Sequence, residues 1–272
     1  MTSLSPYAEV IGDPIAQSKS PAIHGFWLDA LGMKGAYRAH QVGRDGLMSY
    51  LADRRSDPAW RGCNVTMPLK LDALLLADHP TDHAAAAGAT NLLVHRDGAL
   101  FAHNTDVGAI RTIVEPLMAA GGSTPIIVLG NGGAARAALL ALRLVGTGQA
   151  QLQARDMAEA TKLSVEFGLR AGPRRFDSPV DSKGLINATP LGMAGVTPAL
   201  IDITAMPRDG WVLDLVTNPL PTPLLVSAAA HGLATIDGLS VLVEQAADSF
   251  EILFGATPPR DRDAELFAML RA

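Results

Sequence analysis

Apolar positions along the chain cluster in short runs bounded by Gly and Pro, with longer Ala/Leu-rich stretches between them. Short runs between turn signals read as strands. Residues 7–11, 36–42 and 60–65 read so. Residues 89–95 and 99–102 flank Asp97-Gly98, a two-residue hairpin signal. Helical patterns cover residues 21–31 and 45–54, and a third starts near Asp106 and runs to about residue 120. Residues 121–125, Gly-Gly-Ser-Thr-Pro, read as a linker. Beyond them, strand-like runs at 126–129, 150–154, 185–188, 211–216 and 233–236 alternate with helical stretches such as 222–231. Residues 239–254 are strongly helical, and a last short helix follows. This alternation predicts an α/β fold with a parallel sheet covered by helices. A length of 272 residues allows one large or two modest domains.

One junction in this pattern carries chemistry. Ile126 to Leu129 are followed at once by Gly130-Asn131-Gly132-Gly133-Ala134-Ala135, then by helix composition to Leu144. Gly130, Gly132 and Ala135 fit G-x-G-x-x-G/A between a strand and a helix, the context in which that motif binds a dinucleotide. Gly130 allows the tight turn, Gly132 lets a pyrophosphate approach the backbone, and Ala135 lets helix pack on strand. Free N–H groups and the positive dipole end then face the phosphates.

Composition narrows the partners. A net charge of −5 provides no basic footprint for nucleic acid or an acidic membrane. No run reaches the length of a membrane span, and no signal peptide is visible at the start, so a cytoplasmic protein is the default expectation. The single cysteine, Cys63, fits a small buried hydrophobe. His79 and His83 are four apart, but Pro80 lies between them and no Glu accompanies them, so no metal site is expected.

Other residues have both a structural and a functional reading. Ser20 suits an N-cap with Pro21 at the first helical position. Ser18 is less well explained, and two hydroxyls at a helix start can bind a carboxylate. Lys70 sits where a helix begins and opposes its dipole, and Asp106 suits a cap. Asn187 and Asp214 lie near the carboxyl ends of predicted strands, where α/β sheets bind ligands.

Together the motifs resemble the shikimate dehydrogenases and their quinate-using relatives. They are Gly12-Asp13-Pro14-Ile15 with Ser18-Lys19-Ser20-Pro21, Asn64-Val65-Thr66-Met67-Pro68 with Lys70, and Gly88-Ala89-Thr90-Asn91. Asn104-Thr105-Asp106, the Gly130 turn, Asn187-Ala188-Thr189-Pro190-Leu191-Gly192-Met193 and Asp237-Gly238-Leu239 with Gln245 complete the series. The resemblance implies a substrate domain from residues 1–106 plus 239–272, and a Rossmann-type NAD(P)-binding domain over 107–238. It implies an oxidoreductase interconverting 3-dehydroshikimate and shikimate in aromatic amino acid biosynthesis, acting on a small ring carboxylate as monomer or homodimer. Lys70 and Asp106 match the catalytic pair. Ser18 and Ser20 match the carboxylate site, and Thr66, Asn91, Asp106 and Gln245 match groups that bind ring hydroxyls. Gly130, Asn131, Gly132, Gly133 and Ala134 match the pyrophosphate loop. Asp82, Asn187, Thr189, Leu215 and Gly238 fall in the remaining cofactor positions. The chemistry suits these residue types. As hydride leaves a carbinol carbon its hydroxyl proton must leave too, and a neutral Lys70 would accept it or the ammonium return it. An ammonium would also stabilise a developing alkoxide.

The chain departs from the family pattern in places. His103 replaces an acid beside Asp106, and Val107 replaces a glycine. Thr217, counted with the substrate site, replaces a tyrosine. Leu239-Ser240-Val241-Leu242 departs from the usual Gly-Met-Leu. After the second cofactor strand come Arg155, Asp156 and Glu159. Arg155 suits a 2′-phosphate and favours NADP. Glu159 would repel that phosphate, and Asp156 stands near the spacing at which an acid holds the ribose of NAD, or else caps a helix. NADP is preferred on Arg155 alone, with NAD the alternative. The alternatives for function are a quinate or other hydroxylated cyclic carboxylate dehydrogenase, and a catalytically silent nucleotide-binding sensor. A methyltransferase using the glycine turn would leave Ser18, Lys70 and Gln245 without a role.

Overall fold

The computed structural model describes residues 5–119, 125–146, 149–196 and 200–272, so the linker expected at 121–125 lies outside them except for Pro125. The chain divides into two compact units. One comprises the residues up to Thr105 together with Val243–Ala272, the other Asp106–Leu242.

The first unit opens with β1 (Tyr7–Gly12), α1 (Ser20–Ala30), β2 (Ala36–Gln41), α2 (Leu47–Arg55) and β3 (Trp60–Val65). Then come α3 (Lys70–Leu75), β4 (His79–Pro80), α4 (Asp82–Ala87), β5 (Leu92–Arg96) and β6 (Ala99–His103). Its sheet runs β2-β1-β3-β5-β6-β4. β1 pairs in parallel with both neighbours, whereas β3–β5 and β5–β6 are antiparallel. The β5–β6 hairpin turns on Asp97 and Gly98, with φ of +52° and +81°. Both residues are left-handed, as a turn matching the strand twist requires. Alternation along β1 feeds two cores. Ile11 packs with Trp60, Cys63, Leu69 and Leu93, while Ala8 and Val10 pack with Tyr37, Leu92 and Leu253. Cys63 is fully buried, as a small hydrophobe would be.

α5 (Thr105–Ala119) leads to β7 (Ile126–Leu129), α6 (Gly133–Leu144), β8 (Ala150–Ala154), α7 (Met157–Glu166) and β9 (Arg174–Arg175). β10 (Gly184–Asn187), β11 (Trp211–Asp214), α8 (Pro223–Ala230) and β12 (Ala234–Asp237) follow. This sheet, β12-β11-β10-β7-β8-β9, is parallel throughout. β7, β10 and β11 are buried along their whole length, which explains their near-continuous apolar sequence. α9 (Gly238–Phe254) and α10 (Asp263–Arg271) close the chain. The α/β architecture thus agrees with the hydrophobic pattern.

Two helix starts differ from expectation. Lys19, not Ser20, takes the cap position of α1, because its backbone is already helical at φ −83° and ψ −7°. Ser20 therefore becomes the first helical residue and Pro21 the second. The capping-like contact comes from Ser18, whose Oγ accepts the Ser20 N–H at 3.3 Å. Asp106 likewise lies inside the first turn of α5 and does not cap it. The Thr105 N–H at that helix start is satisfied by Asn91 Oδ1 at 2.8 Å, a partner distant in sequence. β11 stops two residues earlier than its apolar run. The Asp214 carboxylate accepts the Val216 N–H at 3.1 Å and turns the chain off the ladder.

Candidate active site

In the first unit, close backbone approach assembles the segment carrying Thr66 and Lys70. A Cβ at Gly12 would lie 2.4 Å from Thr66 Cγ2 and 2.7 Å from the Met67 carbonyl oxygen, so only glycine permits this packing. Backbone bonds fix the approach, with Thr66 N–H donating to Ile11 and Asp13 N–H to Met67, at 2.9 and 3.0 Å. Lys70 then begins α3, as its sequence position implied, and is half-buried. Its carbonyl accepts the Thr90 N–H at 2.9 Å, tying the lysine's turn to the segment bearing Asn91.

Asn91 belongs to a buried polar hub. Its amide donates to Thr105 Oγ1 at 2.9 Å and to Gln245 Oε1 at 3.2 Å. Asn64 donates to Ser249 Oγ at 2.9 Å and accepts the Tyr37 hydroxyl at 2.7 Å. Ser249 Oγ donates to the Gln245 carbonyl at 2.9 Å and lies 3.2 Å from Thr105 Oγ1. Asn64, Asn91, Thr105, Gln245 and Ser249 are all buried. Buried amides and hydroxyls joined in this way fix one another's orientation. Behind the hub, His24 stacks on Tyr37 with ring centroids 3.9 Å apart. His24 lies on α1, the helix whose start bears Ser18 and Ser20. Burial pushes its imidazole down to about 3, and neither ring nitrogen has a hydrogen-bond partner among the described residues. Asp106 directly follows Thr105 and is half-buried. His103 is half-buried as well, and burial, with Arg96 nearby, lowers its imidazole pKa.

Thr66, Lys70, Asn91 and Gln245 are thus linked in one assembly, with Ser18 and Ser20 at the head of the helix packed behind it. Sequence reasoning missed Tyr37, Thr105 and Ser249 as parts of this hub. Thr105 and Asn64 lay inside quoted motifs without a stated role. Ser249 stands one helical turn after Gln245, the only available signal.

In the second unit the candidate cofactor surface is mostly backbone. Gly130 follows β7 with φ +102°, and Gly132 caps α6 with no side-chain hydrogen bond. A Cβ at Gly132 would meet nothing within 4 Å, leaving open space beside the free N–H groups that Gly133 and Ala134 begin. Ala135 is fully buried, as close helix–strand packing requires. The turn therefore fits a pyrophosphate. Arg155, just past β8, is exposed, and among the described residues no carboxylate pairs with it. Asp156 caps α7, accepting the Glu159 N–H at 3.0 Å, and Glu159 pairs with Lys162 at 2.5 Å. These acids have partners of their own, and Arg155 is left to suit a 2′-phosphate. Asn187 is completely buried, so it supports its loop and has no exposed group to offer a ligand. Thr189 has its hydroxyl bonded to Asn187 at 2.7 Å. Leu215 and Thr217 are half-buried past β11, and Gly238 is buried at the start of α9. Asn131 lies between the two turn glycines. Asp82 stands exposed at the first position of α4, in the first unit. His79 lies against Phe101 with ring centroids 4.8 Å apart and His83 lies on α4, and among the described residues no group of three or more His, Cys, Asp or Glu could hold a metal.

Comparison with known proteins decides the family. Residues 10–93 match the shikimate dehydrogenase substrate binding domain, and residues 238–265 the shikimate 5′-dehydrogenase C-terminal domain. An NADP+ shikimate dehydrogenase of Sphingopyxis alaskensis is 49% identical over 270 residues, covering 98% of each chain. The chain belongs to the shikimate dehydrogenase family. Its fold agrees with a shikimate 5-dehydrogenase of Thermus thermophilus in complex with NADP(H) and shikimate. That match has a TM-score of 0.84 and 34% identity, over 97% of this chain and 99% of the other. A quinate dehydrogenase of Corynebacterium glutamicum in complex with NAD is also similar, with a TM-score of 0.82 and 28% identity over 97% and 99%. Family membership accounts for the order and spacing of the motifs across both units. Among the described residues, no helix is long and apolar enough to cross a membrane.

Proposed function

We propose that this chain is an NADP-dependent shikimate dehydrogenase, interconverting 3-dehydroshikimate and shikimate. The observation that carries this reading is the hub that joins the Thr66–Lys70 turn to Asn91 and Gln245, in a chain so similar to NADP+ shikimate dehydrogenases. Amide and hydroxyl groups of this kind suit a ring bearing several hydroxyls, since each ring hydroxyl can both donate and accept. Ser18 and Ser20, at the start of α1, suit the ring carboxylate. The glycine turn would hold the pyrophosphate of NADP, and Arg155 its 2′-phosphate.

The bound nicotinamide supplies hydride chemistry. The chain's part is the proton. In the reducing direction the Lys70 ammonium donates a proton to the substrate oxygen as it changes from carbonyl to hydroxyl. In the oxidising direction neutral Lys70 removes the proton from that hydroxyl. Asp106, which directly follows Thr105 of the hub, is the second residue of the family's catalytic pair. Asn91, Thr66 and Gln245 hold the ring so that the reacting carbon is presented in one pose.

One observation favours a second reading. Thr217 replaces the family's tyrosine, and the similar Corynebacterium protein is a quinate dehydrogenase with NAD. The test crosses shikimate and quinate with NADP and NAD in a steady-state absorbance assay, with Lys70→Ala beside the wild type. Shikimate turnover with NADP, and a fall in kcat of about a thousandfold in Lys70→Ala, is the expected result. Turnover of quinate alone would move the assignment to the quinate-using relatives. Cofactor binding without turnover in any combination would indicate a silent sensor.

A further inference from the structure

The proton transfer above leaves one buried ionisable group of the second unit without a role. Asp214 ends β11 and is completely buried. Among the described residues no cation pairs with it. Its Oδ1 accepts from Asn187 Nδ2 at 2.8 Å and from the Val216 N–H at 3.1 Å. Its Oδ2 accepts the Thr222 hydroxyl at 2.6 Å. Burial raises its carboxyl pKa, and these three donors pull it part of the way back. A buried carboxylate of this kind is costly to keep unless its partners hold it in one geometry.

Its partners continue outward. Asn187 Oδ1 accepts from both the N–H and the hydroxyl of Thr189, at 3.1 and 2.7 Å. Thr189 Oγ1 in turn accepts the Leu191 N–H at 3.2 Å. The Asn187 carbonyl accepts the Leu215 N–H at 3.0 Å. Thr222 also caps α8, accepting the Leu225 N–H at 3.2 Å. Two glycines make the assembly dense. A Cβ at Gly130 would lie 3.0 Å from Thr189 Cγ2, and one at Gly238 would lie 2.5 Å from the Leu215 carbonyl oxygen. One carboxylate therefore ties together the 187–191 loop, the 214–216 turn and the start of α8, against the pyrophosphate turn on one side and Gly238 on the other.

We propose that Asp214 is a positioning residue for the cofactor: it holds the 187–191 loop and Leu215 as a fixed seat for the nicotinamide half of NADP. This rests on the dinucleotide reading given above. The seat acts through backbone and apolar surface, so Asp214 itself need not touch the ligand. Its loss is therefore felt by the nicotinamide half and not by the adenosine half, which the Gly130 turn and Arg155 hold.

The test uses two probes on the full chain, NADPH followed by its fluorescence and adenosine 2′,5′-bisphosphate followed by calorimetry. The variants are Asp214→Ala and the milder pair Thr222→Val and Thr222→Ser. Asp214→Ala is expected to weaken NADPH about tenfold and Thr222→Val about fivefold, with adenosine 2′,5′-bisphosphate within about twofold of wild type. Thr222→Ser retains the hydroxyl and restores NADPH affinity. In steady state, KM for NADP rises while KM for shikimate holds. If Asp214→Ala does not fold, the two Thr222 variants decide. Equal weakening of both probes, or undiminished NADPH affinity in Thr222→Val, would overturn the proposal. Wild-type protein binding neither probe would overturn the dinucleotide reading itself, and this inference with it.

Discussion

The buried polar groups of the two units differ in kind. Among the described residues the first unit has one buried carboxylate, Glu9, paired with Arg54 and Tyr50. Besides that pair it holds a web of neutral amides and hydroxyls, in which Asn91 and Gln245 are both members of the web and candidate substrate contacts. The second holds a carboxylate, Asp214, that among the described residues has no cationic partner and is gripped instead by an amide, a hydroxyl and a backbone N–H. On the reading proposed above, side chains recognise the ring in the first unit, whereas in the second the backbone meets the pyrophosphate, the Arg155 side chain meets the 2′-phosphate, and buried side chains fix the backbone from behind. A ring with several hydroxyls calls for directed side chains, whereas a pyrophosphate can be met by N–H groups common to every residue except proline.

Substitutions that interrupt one mode and spare the other sharpen the comparison. Asn91→Leu should have the largest effect, because it leaves the Thr105 N–H, the Thr105 hydroxyl and Gln245 Oε1 short of partners. A loss of about 3 kcal/mol in denaturant unfolding is expected, with KM for shikimate raised and NADPH binding unchanged. A variant as stable as wild type would show that the web is not mutually supporting.

His24 comes next, and here pH is the lever. Its imidazole is held down to about 3 when folded, against an ordinary 6.5. The unfolded chain binds a proton below 6.5 that the folded chain refuses, so stability is intact above that value and falls as pH drops toward 3. From this group alone the protein should be about 2 kcal/mol less stable at pH 5 than at pH 7. Denaturant titrations at the two pH values measure the difference, and His24→Leu should remove that share of it. An equal pH dependence in the variant would assign the effect elsewhere.

Gly130→Ala tests the backbone mode. A side chain there meets Thr189 and the Ala188 carbonyl at an unfavourable positive φ, so a penalty of about 1.5 kcal/mol is expected, read as roughly tenfold weaker NADPH binding. Shikimate binding measured without cofactor should not change. The smallest effect belongs to Asp156→Ala, about 1 kcal/mol of stability from the lost cap of α7. The preference for NADP over NAD should survive it but fall in Arg155→Gln. A selective loss of NAD binding in Asp156→Ala would show that the carboxylate reaches a ribose after all.

The hydrophobic pattern was enough to place the buried strands, such as β7, β10 and β11, because each is an apolar run closed by Gly, Pro or Asx chemistry, whereas the two-residue strands β4 and β9 carry no such run. The glycine turn was legible for the same reason: its demands on φ and on space are written as missing side chains. What escaped was long-range. Nothing near Asn91 in sequence shows that it would satisfy the first N–H of α5, so Asp106 was the natural candidate for a cap. The shift of one residue at α1 came from the backbone of Lys19, to which sequence is nearly blind. Asn187 was read as a ligand contact because of its place at a strand end. Its side chain is completely buried and bonded to Asp214 and Thr189.

The web of the first unit has a further property that comes from its connectivity. Thr105 reaches Gln245 and Ser249 across 140 and 144 residues, and Asn64 reaches Ser249 across 185. On a growing polypeptide, everything from Asp106 to Leu242 is made before Ser249 exists. The second unit has all its strands in hand by then, while in the first Asn64 and Thr105 have met Tyr37 and Asn91 but still lack Gln245 and Ser249. Ribosomal emergence thus orders the folding: the second unit can close early, and the first only when the last helices arrive.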